Sequence, residues 1–229
     1  SAMISRLVGL PPGQVDEGLF GRLSAITRVV RLTRPRLTDG QIAQARAVVA
    51  ELTAHARDAY RAGDESTVPG RMRALDLGED EAMGAVGAFV LTGTETLVSY
   101  LPRLAALLID SGWFTRLLHE PDALEASIAE GLRVTTPSPV MLRSAVAPAT
   151  IGSVDVRPGE RIILATFAAN GAAGPFDPVG QPSASLKQLW FGAGAHFCLG
   201  APLALAQVRV TVRALLDAGD LAIVERGAA

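Results

Sequence analysis

Apolar residues recur along most of this chain at the three-to-four-residue spacing of amphipathic helices. The first such stretch covers about 15–32. Thr38-Asp39-Gly40-Gln41 is a capping box, with Thr38 as N-cap and Gln41 three residues on. The helix it opens sets Ile42, Ala45, Val49, Leu52, Ala56 and Ala59 on one face, and Gly63 stops it. A long apolar run over about 79–109 predicts a central helix that Pro102 bends or breaks. Shorter helices are predicted at 113–118 and 122–134. The period then changes. Short strands are predicted between 142 and 166, including Val154-Asp155-Val156 and Ile162-Ile163-Leu164, separated by a Pro158-Gly159 turn. Residues 170–188 are Gly/Pro-rich and read as irregular chain. A last helix starts near Leu199, with Pro202 in its first turn, where the missing N–H costs nothing. There is no internal repeat.

Composition narrows the classes. The 229 residues suit one large domain or two small ones, and Lys+Arg 21 against Asp+Glu 23 gives no basic bias toward nucleic acid. A single cysteine excludes an internal disulfide and suits a reducing cytoplasm. Lys187 is the only lysine, and Ser1-Ala2 ahead of Met3 reads as a tag remnant with no signal peptide. The apolar run of the central helix is interrupted by Thr94, Glu95, Pro102 and Arg103, so it is expected as a buried helix and not a membrane span.

Chemistry concentrates in Phe191-Gly192-Ala193-Gly194-Ala195-His196-Phe197-Cys198-Leu199-Gly200. The one cysteine sits in a glycine-flanked turn just before an apolar helical pattern. Hydrogen bonds from backbone N–H groups and a nearby helix N-terminus both favour a thiolate. That suits an anionic sulfur ligand for iron; a buried structural cysteine is the alternative. The segment resembles the heme-binding loop of the cytochrome P450 family, F-x-x-G-x-H-x-C-x-G, at every fixed position. Upstream, Glu130-Gly131-Leu132-Arg133 is similar to the family's E-x-x-R, on a helix where residues three apart share a face. The turn Thr136-Pro137-Ser138-Pro139 follows, then Arg143, which the resemblance makes a heme-propionate partner together with His196. Thr92-Gly93-Thr94-Glu95-Thr96 resembles the family's A-G-x-[DE]-T on the helix over the distal heme face. The resemblance gives Gly93 close approach to dioxygen, Thr96 a hydroxyl toward it, and Glu95 a carboxylate for proton delivery. The other reading of this segment is a helix whose threonines bond back to their own backbone.

The implied fold is mostly α: the C-terminal half of the cytochrome P450 fold, with a long central helix, a heme-binding cysteine loop and a small β region. The resemblance runs from about Ile4 onward, as a single truncated domain over 3–229, bacterial and soluble in type. Members of the family are close to twice this length. The chain also departs from their pattern. After Ala168-Ala169-Asn170 the family has Arg-Asp-Pro where this chain has Gly171-Ala172-Ala173, and Phe176-Asp177-Pro178-Val179-Gly180 lacks the arginine that in the family completes a triad with the E-x-x-R pair. Leu97 and Thr92 replace a hydroxyl residue and a small apolar one.

With 49% hydrophobic residues and a mean hydropathy of +0.30, half a fold should expose an apolar patch, and such patches mark interfaces. A homodimer, or a partner chain over the missing N-terminal half, is therefore expected. Its expected contributors are Val29, Val30, Val48, Val49, Leu52, Phe89 and Val90; self-covering by rearranged helices is the alternative. Two functions follow from the resemblance. One is a cytoplasmic heme-thiolate monooxygenase that oxidises a small organic substrate. It would use Cys198 as iron ligand to heme b, Phe191 and Gly93 beside the cofactor, and electrons from a separate redox partner, since no flavin or nicotinamide fingerprint occurs. The other is a degenerate, non-catalytic binding or assembly subunit, with or without heme.

Overall fold

A computed structural model describes residues 2–11, 38–186, 188–219 and 221–226, with positions 18, 21 and 25; of Ala2, Leu52, Thr94 and Glu95 it describes the backbone alone. Apart from the helical positions 18, 21 and 25, the helix expected at 15–32, with Val29 and Val30, lies outside the described residues, as does Lys187. The chain forms two units, Ser1–Glu95 and Thr96–Ala229.

In the first unit, helix α1 (Ala2–Leu7) buries Ile4, and the chain after it buries Val8 and Leu10. Helix α2 (Asp39–Ala62) opens with both halves of the capping box: Gln41 N donates to Thr38 Oγ1 at 3.3 Å, and Thr38 N to Gln41 Oε1 at 2.9 Å. Gly63 ends it with φ 66°, the left-handed conformation that suits glycine. Helix α3 (Val68–Ala74) had no clear sequence signal. It starts at Thr67, whose hydroxyl accepts from Gly70 N at 3.2 Å. Helix α4 (Glu79–Asp110) then begins, and Arg57 and Arg61 of α2 both reach its Glu79.

Helix α4 runs unbroken through Pro102 and continues into the second unit. Proline costs about 3 kcal/mol in a helix interior. Here Tyr100, Leu104 and Leu108 are fully buried around it, and that burial holds the helix together. Among the described residues α4 is the one helix long and apolar enough to cross a membrane, a test that core helices also pass.

The second unit continues with α5 (Trp113–His119), a 3-10 turn (Pro121–Ala123) and α6 (Leu124–Thr135). Four strands follow: β1 (Met141–Ser144), β2 (Ala149–Ile151), β3 (Val154–Val156) and β4 (Arg161–Leu164). They form two antiparallel ribbons, β1 with β4 and β2 with β3. The two strands read from the sequence therefore belong to different ribbons and do not pair across Pro158-Gly159. That turn instead folds back, with Gly159 N donating to Ala145 O at 2.8 Å and Ala145 N to Glu160 O at 2.9 Å. Helix α7 (Thr166–Gly171), three 3-10 turns (Pro182–Leu186, Leu189–Phe191, Gly194–His196) and α8 (Ala201–Asp217) complete the unit. Its core joins Tyr100, Leu104 and Leu108 to Phe114, Leu117, Leu124, Ile128, Leu132, Trp190, Val208 and Val212.

Val48 and Val90 are buried in the first unit, so they are core and not interface residues. Val49 and Phe89 are half-buried. Helical periodicity marks an apolar face but does not tell whether the same chain covers it. Among the described residues, most large apolar side chains that remain exposed lie in the second unit, among them Leu142, Ile163, Phe167, Phe197 and Leu199.

Candidate functional site

The cysteine loop is built from its backbone. After the turn at Leu189–Phe191, Gly192 and Gly194 take φ 79° and 65°. A side chain on Gly192 would also approach the His196 carbonyl oxygen at 3.2 Å. The chain thereby doubles back, and Cys198 N donates to Phe191 O at 2.9 Å. The Phe191 and Phe197 rings meet edge-on with centroids 6.3 Å apart, and neighbouring Trp190 is buried in the core. Ala201 N then donates to Cys198 O at 3.2 Å as α8 begins. The helix expected to start near Leu199 starts at Ala201, and Leu199 before it is 96% exposed. The cysteine is free and exposed, so the buried structural alternative does not describe it. His196 is exposed in the same loop.

An exposed thiol between two exposed apolar side chains, Phe197 and Leu199, suits a flat apolar group that needs one sulfur ligand. Among the described residues no cluster of three or more His, Cys, Asp or Glu could hold a bare metal ion. A metal at this thiol would need a carrier that supplies its other ligands, as heme does.

Glu130 and Arg133 of α6 are both fully buried. Arg133 Nε donates to Glu130 Oε2 at 2.9 Å, and its Nη2 donates to Oε1. Arg133 also donates to Asn170 O at 2.6 Å and Pro175 O at 2.7 Å. Glu130 in turn accepts from Asp177 N and Ser183 N, each at 3.1 Å. Asn170, itself buried, donates to Thr136 Oγ1 at 3.0 Å, and that hydroxyl donates to Arg133 O at 2.7 Å. Sequence reasoning missed Asn170, Thr136 and these main-chain partners. The Ala168-Ala169-Asn170 stretch was the available signal for Asn170; main-chain partners carry no residue-type signal.

The remaining predicted residues lie elsewhere. Arg143 is exposed on β1, opposite Ile162, and donates to Leu142 O at 2.8 Å. Thr96 is half-buried on α4 in the second unit. Gly93 belongs to the first unit, where the space a side chain would fill is met by Ile4 Cδ1 at 3.1 Å. Thr92 donates back to Ala88 O at 2.8 Å, as mid-helix threonines do. The side chain of Glu95 lies outside the described residues. Elsewhere in the second unit, hydrogen bonds from Arg209 hold Glu125 below its ordinary value, and Arg226 does the same for Asp110. Burial pushes the Tyr100 hydroxyl well above its ordinary value.

No family model matches the chain. Individual proteins do. It is 28% identical to the biotin biosynthesis cytochrome P450 of Bacillus subtilis, over 95% of this chain and 57% of that protein. It is 30% identical to the erythromycin C-12 hydroxylase of Saccharopolyspora erythraea, over 93% of this chain and 57% of that protein. In structure it is similar to Mycobacterium smegmatis CYP164A2 with econazole bound, with TM-score 0.78, 29% identity and coverage of 94% of this chain and 57% of that one. The chain thus spans little more than half the length of the curated relatives it matches. Over that span it resembles the C-terminal portion of cytochromes P450 in sequence and in fold.

Proposed function

We propose that this chain carries the heme-thiolate part of a P450-type monooxygenase that oxidises a small organic substrate with dioxygen and an external electron donor. The observation that carries this reading is Cys198: an exposed thiol on a loop closed onto Phe191 O, inside a segment that keeps every fixed position of the heme-loop pattern. Heme b would supply an iron centre for dioxygen chemistry, and a thiolate ligand would donate electron density that favours O–O cleavage. Cys198 would supply the thiolate that holds it. Phe191 and the exposed Phe197 and Leu199 offer apolar contact, and Arg143 and His196 offer positive charge or hydrogen bonds to propionates. Thr96 and Glu95 are assigned to holding and moving a proton, and Gly93 to close approach, on the resemblance of their segment.

The exposed apolar side chains of the second unit support a covering partner: a second copy, or a chain standing for the portion of the relatives that this one does not span. A cytoplasmic setting with a separate redox partner fits the same reading. A second reading, a non-catalytic binding or assembly subunit, is favoured by the 57% span of the relatives. Heme titration of the purified chain tests the proposal. Saturable one-to-one binding that weakens strongly in Cys198→Ala supports it, and no specific binding leaves the second reading.

A further inference from the structure

We propose that Asn170-Gly171 is a latent deamidation site. The folded chain protects it, the unfolded chain converts it irreversibly, and the converted chain does not refold. The proposal does not depend on the heme reading.

Asn170 is the only asparagine in the chain, and a glycine follows it. Glycine leaves the main chain its widest choice of dihedrals. In an unfolded chain the Gly171 nitrogen therefore reaches Asn170 Cγ readily. Hydroxide takes the Gly171 amide proton and the nitrogen bonds to Cγ. The Cγ–Nδ2 bond breaks, and Nδ2 leaves as ammonia with a proton from water. Water then opens the resulting imide, either to aspartate or to isoaspartate, whose main chain runs through the side-chain carbons. Water and hydroxide are the only co-reactants. The fold itself does not require glycine at 171. This residue ends α7, its φ lies outside the left-handed region, and a side chain on it would meet nothing within 4 Å. What glycine adds here is reactivity.

Folding blocks the reaction at each atom it needs. Asn170 is fully buried, so water and hydroxide are kept from it. Its leaving group, Nδ2, donates to Thr136 Oγ1 at 3.0 Å, and its main-chain oxygen accepts from Arg133 Nη1 at 2.6 Å. Both residues of the pair lie in α7, and a helical main chain points each N–H at the carbonyl four residues back, away from the preceding side chain. The products do not fit the same site. Asn170 Oδ1 has no hydrogen-bond partner among the described residues, and the Thr136 hydroxyl already donates to Arg133 O. An aspartate would bury a charged oxygen with no donor. An isoaspartate would lengthen the main chain at the carbonyl that Arg133 holds.

The test holds the whole chain in mildly alkaline buffer, with and without urea, for increasing times. Peptide mass mapping follows loss of the amide at Asn170, and near-UV circular dichroism after dilution follows the fraction that refolds. Amide loss is read because imide formation at Asp39-Gly40 releases no ammonia. Conversion in urea should be at least about tenfold faster than in native buffer, because only opening exposes the site. The refolding fraction should fall with the same time course. In urea, Gly171→Ala should convert at least about tenfold more slowly than wild type and keep its refolding fraction. Its amide loss is measured on the unfolded chain, so that comparison stands whether or not the variant folds. Equal conversion in native buffer and in urea would overturn the protection. Converted chain that refolds as well as fresh chain would overturn the block. Gly171→Ala converting as fast as wild type would overturn the role given to glycine.

Discussion

Arg133 meets Glu130 one turn away on α6 through two hydrogen bonds, Nε to Oε2 at 2.9 Å and Nη2 to Oε1, with neither side chain exposed to solvent. A pair so placed does not need to add net stability, because both charges have left water. Its removal by halves is another matter. Arg133→Ala leaves a buried carboxylate facing only two N–H groups, a change that costs about 3–5 kcal/mol. The variant should be insoluble or loosely folded. Arg133→Lys should not rescue it, because one ammonium cannot span the carboxylate and two separate carbonyls. Thermal melts and near-UV circular dichroism check this, and a wild-type midpoint in Arg133→Ala would contradict it.

Gly131 lies between the two partners in sequence, and a side chain there would collide with Leu104 Cδ1 of α4. Helix propensity alone favours alanine over glycine by about 1 kcal/mol. Overpacking a filled core costs about 1–3 kcal/mol. Leu104 is fully buried, so the collision should win and Gly131→Ala should lower the denaturation midpoint. Gly131→Ala combined with Leu104→Ala should recover part of the loss relative to Leu104→Ala alone. A rise in midpoint for the single variant would show that α4 and α6 have room to part.

Much of this was legible in the sequence, for physical reasons that differ by residue. Thr38 and Gln41 announced α2 because a capping box is local chemistry. Cys198 and its glycines announced the loop because residue type dictates the backbone there. Pro102 does not break α4, because burial of Tyr100, Leu104 and Leu108 overrides a local cost. Strand pairing was not legible either: β4 pairs with β1 through partners 20 or so residues apart, and short apolar runs do not name their partners. The closure of Glu130 by Asp177 N and Ser183 N was invisible because every residue but proline carries that donor.

Acid should weaken the fold through a few surface carboxylates. Glu79, bonded by Arg61 and Arg57, and Glu125, bonded by Arg209, sit below the ordinary glutamate value of 4.5, and Asp110, bonded by Arg226, below the aspartate value of 3.8. A folded-state value below the unfolded one means the stabilisation is present above the unfolded value. It is lost as pH falls through the folded one. Stability should therefore be level from neutral pH down to about 4.5 and decline below it. These pairs are exposed, so each contribution is small and about 1 M salt should flatten the decline. Denaturation midpoints between pH 3 and 7 at two salt levels check the shape. A decline that starts near neutrality would point to another titrating group.

The chain should self-associate at micromolar concentration unless a partner is supplied. Ile163 on β4 is 64% exposed and pairs across the ribbon with Leu142, also exposed. A two-stranded ribbon with an apolar face is marginal alone. Ile163→Asp should reduce both association and apolar-dye binding. Light scattering decides the matter, and a wild-type monomer that binds no dye would show that the exposed side chains form no adhesive surface.

The most direct measurement is the absorption spectrum of the heme-loaded chain after reduction and addition of carbon monoxide, wild type against Cys198→Ala. Wild type should show the red-shifted Soret band of thiolate ligation, and Cys198→Ala should lose it while keeping the wild-type far-UV circular dichroism. A Soret band that the substitution leaves unchanged would assign the iron to another ligand and contradict the heme-thiolate account.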